Sequence, residues 1–149
     1  MPRFPMASRD AVPQDQVDAF DALVSARGGV VPEFGPIAVQ LHVPEIAQRG
    51  EVLRAYLRAA GSTLPDNVAE LAMITTAREL DCLFIWHAHA TAGRRAGLSN
   101  ALVDALRDKQ ELPPLPSAET AGINYGQELF RTRRVSQSTF DAAFAEFVP

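Results

Sequence analysis

Apolar residues recur along this chain at intervals of three and four, and no stretch alternates apolar with polar positions for long enough to predict a strand. Val17, Phe20, Leu23 and Val24 form one helical stripe, with Gly28-Gly29 as its natural stop. Pro36 suits the first turn of a short helix in which Ile37 and Leu41 share a face. Pro44 starts or kinks the next segment, where Ile46, Leu53, Tyr56 and Leu57 share a face until Gly61. Ser62 to Asp66 read as a turn and capping cluster, and Val68, Leu71, Ile74 and Thr75 follow at helical intervals. The pattern then predicts a helix from Asp81 to about Ala96 with Gly97 as its stop, and another capped by Ser99 that carries Leu102, Val103 and Leu106. Three prolines between Glu111 and Pro116 exclude a helix there, because each removes a donor and fixes φ. Beyond them, Ser117 is expected to cap a helix bearing Tyr125, Leu129 and Phe130. A last helix from about Ser136 bears Phe140, Phe144 and Phe147, a stripe that reads as core or interface packing. The expected fold is a single all-α domain over residues 1–149, with about six to eight helices around a helix-pair core.

Composition narrows the class. Of 149 residues, 47% are apolar and 21% charged, which excludes wholesale disorder. Fourteen basic against eighteen acidic side chains give a formal charge of −4. The basic residues are scattered, so a nucleic-acid partner is not expected. No apolar run reaches the length of a membrane span, and the N-terminus has no apolar core of signal-peptide length; the expected location is the cytoplasm, with no membrane partner. A single cysteine, Cys82, can form neither an internal disulfide nor a multi-thiolate zinc site.

The candidate chemistry lies between Glu70 and Ser99, in ELAMITTARELDCLFIWHAHATAGRRAGLS. Seven helical residues advance about 700°, some 20° short of two turns, which puts Cys82 and His89 on one face with Ile85 and Trp86 between them. His87 falls on the far side with Arg94. A turn near residues 80–81 sets Glu70 opposite His89 on an antiparallel neighbour. A carboxylate beside an imidazole is a proton relay, the first fixing the tautomer and the second moving the proton. Cys82 is expected at a helix N-terminus, where the dipole favours a thiolate, yet about 10 Å along the helix from His89. His87 and His89, two apart, point to different sides and cannot chelate one ion, so neither a metal nor any other cofactor is expected.

This segment resembles the carboxymuconolactone decarboxylase family, which also holds the alkylhydroperoxidase D-like proteins. The shared spacing is Glu70, Cys82 twelve residues on, His89 seven further, and Gly97-Leu98-Ser99 after that. Trp86 and Arg78 match one branch of the family, and the start of the tail helix, Val135 to Phe140, is also similar. The resemblance implies an alkylhydroperoxidase D-like helical fold assembled as a homo-oligomer, a trimer or hexamer. In the peroxidase branch a Cys-x-x-Cys pair performs the redox step; here Ile85 stands at the second cysteine, which excludes a dithiol cycle within one chain.

Three readings follow. In the first the protein is an enzyme acting on a small organic acid or lactone by decarboxylation or a related lyase or isomerase step. Glu70 and His89 are then its acid–base pair, Cys82 lies nearby, and Trp86, Ile85 and Arg78 line the pocket. In the second, Cys82 alone reduces hydroperoxides through a sulfenic acid that an outside thiol resolves. In the third, the fold serves as a non-catalytic binding oligomer. The Pro-rich segment either covers the site or connects helices.

Overall fold

The computed structural model describes residues 4–58 and 64–148. Every regular element among them is helical, eight α-helices and two short 3-10 turns, as the period of the apolar positions predicts. The chain divides into two compact units, Met1–Ser62 and Thr63–Pro149, each with its own apolar core.

The first unit holds the 3-10 turns (Arg9–Ala11 and Gln14–Gln16), α1 (Val17–Ser25), α2 (Gly35–Gln40) and α3 (Pro44–Arg58). Val17, Phe20 and Leu23 of α1 are buried with Ala7, Val12, Leu41 and Ala47. Gly28 and Gly29 take φ of +69° and +80°, left-handed values that favour glycine, and they end α1 where expected. Arg27 ties that end to α3 through Glu51 at 2.7 Å. The face that Ile46, Leu53, Tyr56 and Leu57 share is exposed; α3 buries only Pro44 and Ala47. The physical reason is coverage: periodicity defines an apolar face, but the short helices α1 and α2 shield only the first turns of α3. The stop expected at Gly61 and the Ser62-Thr63 part of the turn cluster lie outside the described residues.

The second unit is built on α4 (Asp66–Glu79), which packs against both α5 (Leu83–Arg95) and α7 (Ser117–Thr132). Val68, Leu71, Ile74 and Thr75 of α4 are all buried, as their spacing predicts. Leu71, Ile74 and Ala77 join Trp86, Ala90, Leu98 and Ile123 in the core, with Leu102, Val103 and Leu106 of α6 (Asn100–Asp108). Burying each large side chain of this kind stabilises the fold by about 1.5–3 kcal/mol. The α4–α7 crossing is close at Gly126, where a Cβ would stand 3.1 Å from Thr75 Cγ2. Arg131 and Glu79 join the same helices at 2.6 and 2.9 Å.

Helix α5 ends in a Schellman closure: Gly97, at φ +103°, donates to Arg94 O at 3.2 Å, and Leu98 donates to Gly93 O at 2.9 Å. Ser99 then caps α6, its Oγ accepting from Leu102 N at 3.2 Å. The proline-rich segment is irregular, and its Leu112 and Leu115 pack against the core. Ser117 is the first helical residue of α7 rather than its cap; Pro116 occupies the cap position, already extended at φ −55° and ψ 154°. Helix α8 (Gln137–Phe147) lies on α7 and is capped by Ser136. Its Phe140 and Phe144 face each other with centroids 5.9 Å apart and are exposed, outside the core of this chain.

Candidate active site

A tight turn reverses the chain between α4 and α5. Leu80 closes α4, Asp81 takes the left-handed region at φ +49°, and Cys82 N–H returns to Ala77 O at 2.8 Å. Cys82 is the N-cap of α5, with non-helical angles (φ −89°, ψ 88°), and its carbonyl accepts from Trp86 N–H at 3.0 Å. The helix therefore begins at Leu83, two residues after the expected Asp81, and the angular arithmetic that put Cys82 on the His89 face does not extend to it.

The antiparallel pairing brings Glu70 to His89. Nδ1 of the imidazole lies 2.6 Å from Glu70 Oε2, and the two side chains are 18% and 9% exposed. Donation of Nδ1–H to the carboxylate fixes the tautomer and orients the ring, leaving Nε2 as the nitrogen that exchanges a proton. Neutral or ionic, a bond this short and sheltered is stronger than its surface equivalent.

The remaining predicted side chains gather elsewhere. A cleft of about 170 Å³ is lined by Arg78, Asp81, Cys82, Leu83, Trp86 and Arg107. Neither Glu70 nor His89 lines it, so the structure sorts the predicted set into a hydrogen-bonded pair and a thiol-bearing cleft. Ile85 belongs to neither; it is half-buried and packs against the core. Arg78 donates from Nη1 to Asp81 Oδ1 at 2.5 Å, and its Nε is buried with no hydrogen-bond partner among the described residues. Lys109 Nζ stands 3.8 Å from the same Asp81 oxygen.

Arg107 was not singled out by its sequence context. Its signal was the i,i+4 relation to buried Val103, which places it at the rim of the same helix face. Asp108 grips it at 2.8 and 2.9 Å and Asp104 at 3.0 Å. The bond from Arg107 holds the Asp108 carboxyl below its ordinary range, with a smaller contribution from the Arg78 charge, and Asp108 in turn raises Arg107.

The other residues considered lie apart from these groups. His87 is exposed, and Arg94 pairs within the chain with Asp104 at 2.8 Å. His42 Nε2 lies 3.1 Å from Pro5 O. Among the described residues no group of three His, Cys, Asp or Glu side chains is placed to hold a metal ion. No helix among them is long and apolar enough to cross a membrane. A larger groove of about 480 Å³ between α7 and α8, with Thr120, Asn124, Ser138 and Glu146 in its walls, contains none of the predicted site residues.

The chain matches no family model, no curated protein and no solved structure.

Proposed function

We propose that this protein is a small acid–base enzyme acting on an organic acid or lactone, in the manner of the carboxymuconolactone decarboxylases whose spacing residues 70–99 resemble. The observation that carries the reading is the sheltered 2.6 Å bond between His89 Nδ1 and Glu70 Oε2. Glu70 holds the ring, and Nε2 delivers or removes the proton. In a decarboxylation the bond between the carboxylate carbon and its neighbour breaks and carbon dioxide leaves. The electron pair left on carbon is protonated from Nε2–H, and the imidazole regains its proton from water. Arg78 and Trp86 line the separate cleft around Cys82, so this reading gives them no contact with a substrate at His89. The same reading takes the working form to be a homo-oligomer in the cytoplasm, without a cofactor.

The test is release of carbon dioxide or isomerised product from a panel of small lactone and oxo acids. Turnover falls by about 10²-fold or more in Glu70→Gln and in His89→Asn, the usual size of a general acid–base contribution. Undiminished turnover in both variants would overturn the proposal.

One observation favours a second reading, thiol-dependent hydroperoxide reduction. Cys82 caps the N-terminus of α5 and lines a cleft that it shares with Arg78 and Arg107. The thiolate would attack the peroxide, the O–O bond would break, and alcohol and a sulfenic acid would form; two outside thiols would then reduce the sulfenic acid to thiol and water. A Cys82 that reacts with hydroperoxide no faster than a free thiol removes this reading.

A further inference from the structure

The α4–α5 contact that joins Glu70 to His89 includes a residue outside the predicted set. Gly93 lies one helical turn after His89 and is buried. A Cβ built on it would stand 2.8 Å from Leu98 Cδ1 and 3.6 Å from Glu70 Cβ. The first distance is shorter than real Cβ contacts allow, and the second is ordinary contact with the carboxylate-bearing residue itself. Gly93 has no left-handed backbone angle to explain it, and a helix-interior glycine costs about 0.5–1 kcal/mol relative to alanine. What requires glycine here is space.

Leu98 occupies that space. It follows Gly97 in the closing turn of α5, its N–H bonds Gly93 O, and its side chain folds back over the glycine. It is 3% exposed and belongs to the core with Leu71, Ile74 and Ala90, so it has little room to turn aside. An added methyl group on residue 93 therefore has to displace a packed leucine, while its contact with Glu70 on α4 is an ordinary one.

From this we infer that Gly93 is a positioning residue of the Glu70–His89 pair, its missing side chain leaving Leu98 the space to pack beside Glu70 without displacing the carboxylate from the imidazole. The inference rests on the proposed reading of that pair as the reacting one, but its evidence is geometric.

The experiment reads the pair directly. In the ¹⁵N-labelled full chain, the His89 Nδ1–H proton, held by a carboxylate, gives a downfield resonance, assigned by its loss in His89→Asn. Gly93→Ala is expected to move that resonance upfield or lose it to solvent exchange. Adding Leu98→Ala removes the obstructing methyl group, and the Gly93→Ala/Leu98→Ala double variant regains the resonance. Leu98→Ala alone keeps it. An unchanged resonance in a folded Gly93→Ala chain overturns the inference. So does its absence from the folded double variant, or its loss in Leu98→Ala alone. If Gly93→Ala does not fold, the double variant decides by itself. Turnover is not the readout: a resonance that follows Gly93 in an enzyme indifferent to Glu70→Gln removes the catalytic reading and leaves the positioning role standing.

Discussion

Glu70 and His89, nineteen positions apart in sequence, meet at 2.6 Å across the α4–α5 pair, while Cys82 lines a cleft that neither of them enters. The chemistry suggested by one short motif is thereby divided between two places on the same helix pair, and the two can be tested separately.

The first expectation concerns stability. A hydrogen bond between an imidazole and a sheltered carboxylate contributes about 1.5–3 kcal/mol when one partner is charged. Glu70→Gln keeps the shape and loses the carboxylate, and should lower unfolding free energy in urea by an amount of that order. A variant as stable as the wild type would show that the bond contributes nothing net to the fold.

The second concerns the thiol. Seven residues of helix separate Cys82 from His89 by about 10 Å along the axis, and the cleft around Cys82 is furnished by Arg78 and Arg107 instead. Alkylation of Cys82 at a fixed pH should therefore run at the same rate in His89→Asn and at a changed rate in Arg78→Gln. A rate that moves with His89 would contradict the separation of the two groups.

The third concerns pH. The Thr139 hydroxyl, with the backbone N–H and hydroxyl of Ser136, holds the Glu128 carboxyl below its ordinary value of 4.5. A carboxyl lowered in the folded chain favours folding above its unfolded pKa, and that contribution disappears as pH falls through the lowered folded value. Glu128→Gln should accordingly melt at a lower temperature than wild type at pH 7, with the difference closing toward pH 3. An equal gap at both pH values would remove the charge as its cause.

The fourth concerns the core. Leu102 is fully buried among Leu71, Ile74 and Ile123 neighbours of the same core. Leu102→Ala should cost about 2–5 kcal/mol by denaturant titration, the range for a cavity left in a packed interior.

Much of the second unit was legible because each of its signals is local. The stripe Val68, Leu71, Ile74 and Thr75, the Gly97 stop and the Ser99 cap each depend on neighbours within a few residues, and each stands where the spacing put it. The Glu70–His89 pairing was legible too, since a tight turn at a known place fixes which residues of two antiparallel helices face each other. The remainder depended on partners distant in sequence. Ile46, Leu53, Tyr56 and Leu57 form a face by periodicity, but whether that face is covered depends on how much apolar surface α1 and α2 can offer. The aromatic stripe of α8 met the same limit, with Phe140 and Phe144 exposed. For Arg107 the i,i+4 relation to Val103 gives its helix face, but that this face meets α4 at the cleft is decided by packing between distant segments. The 3-10 turns at Arg9–Ala11 and Gln14–Gln16 are too short to leave a period.

The pairing of Glu70 with His89 has a consequence for how this chain can change length. Surface connections ordinarily accept an added or deleted residue at small cost. A residue gained or lost within α5 between Leu83 and His89 would rotate the rest of that helix by about 100° and slide it by about 1.5 Å, carrying His89 away from Glu70. Between Glu70 and Gly93 the pairing is therefore sensitive to the number of residues as well as to their kind, because helical pitch sets which side chains meet.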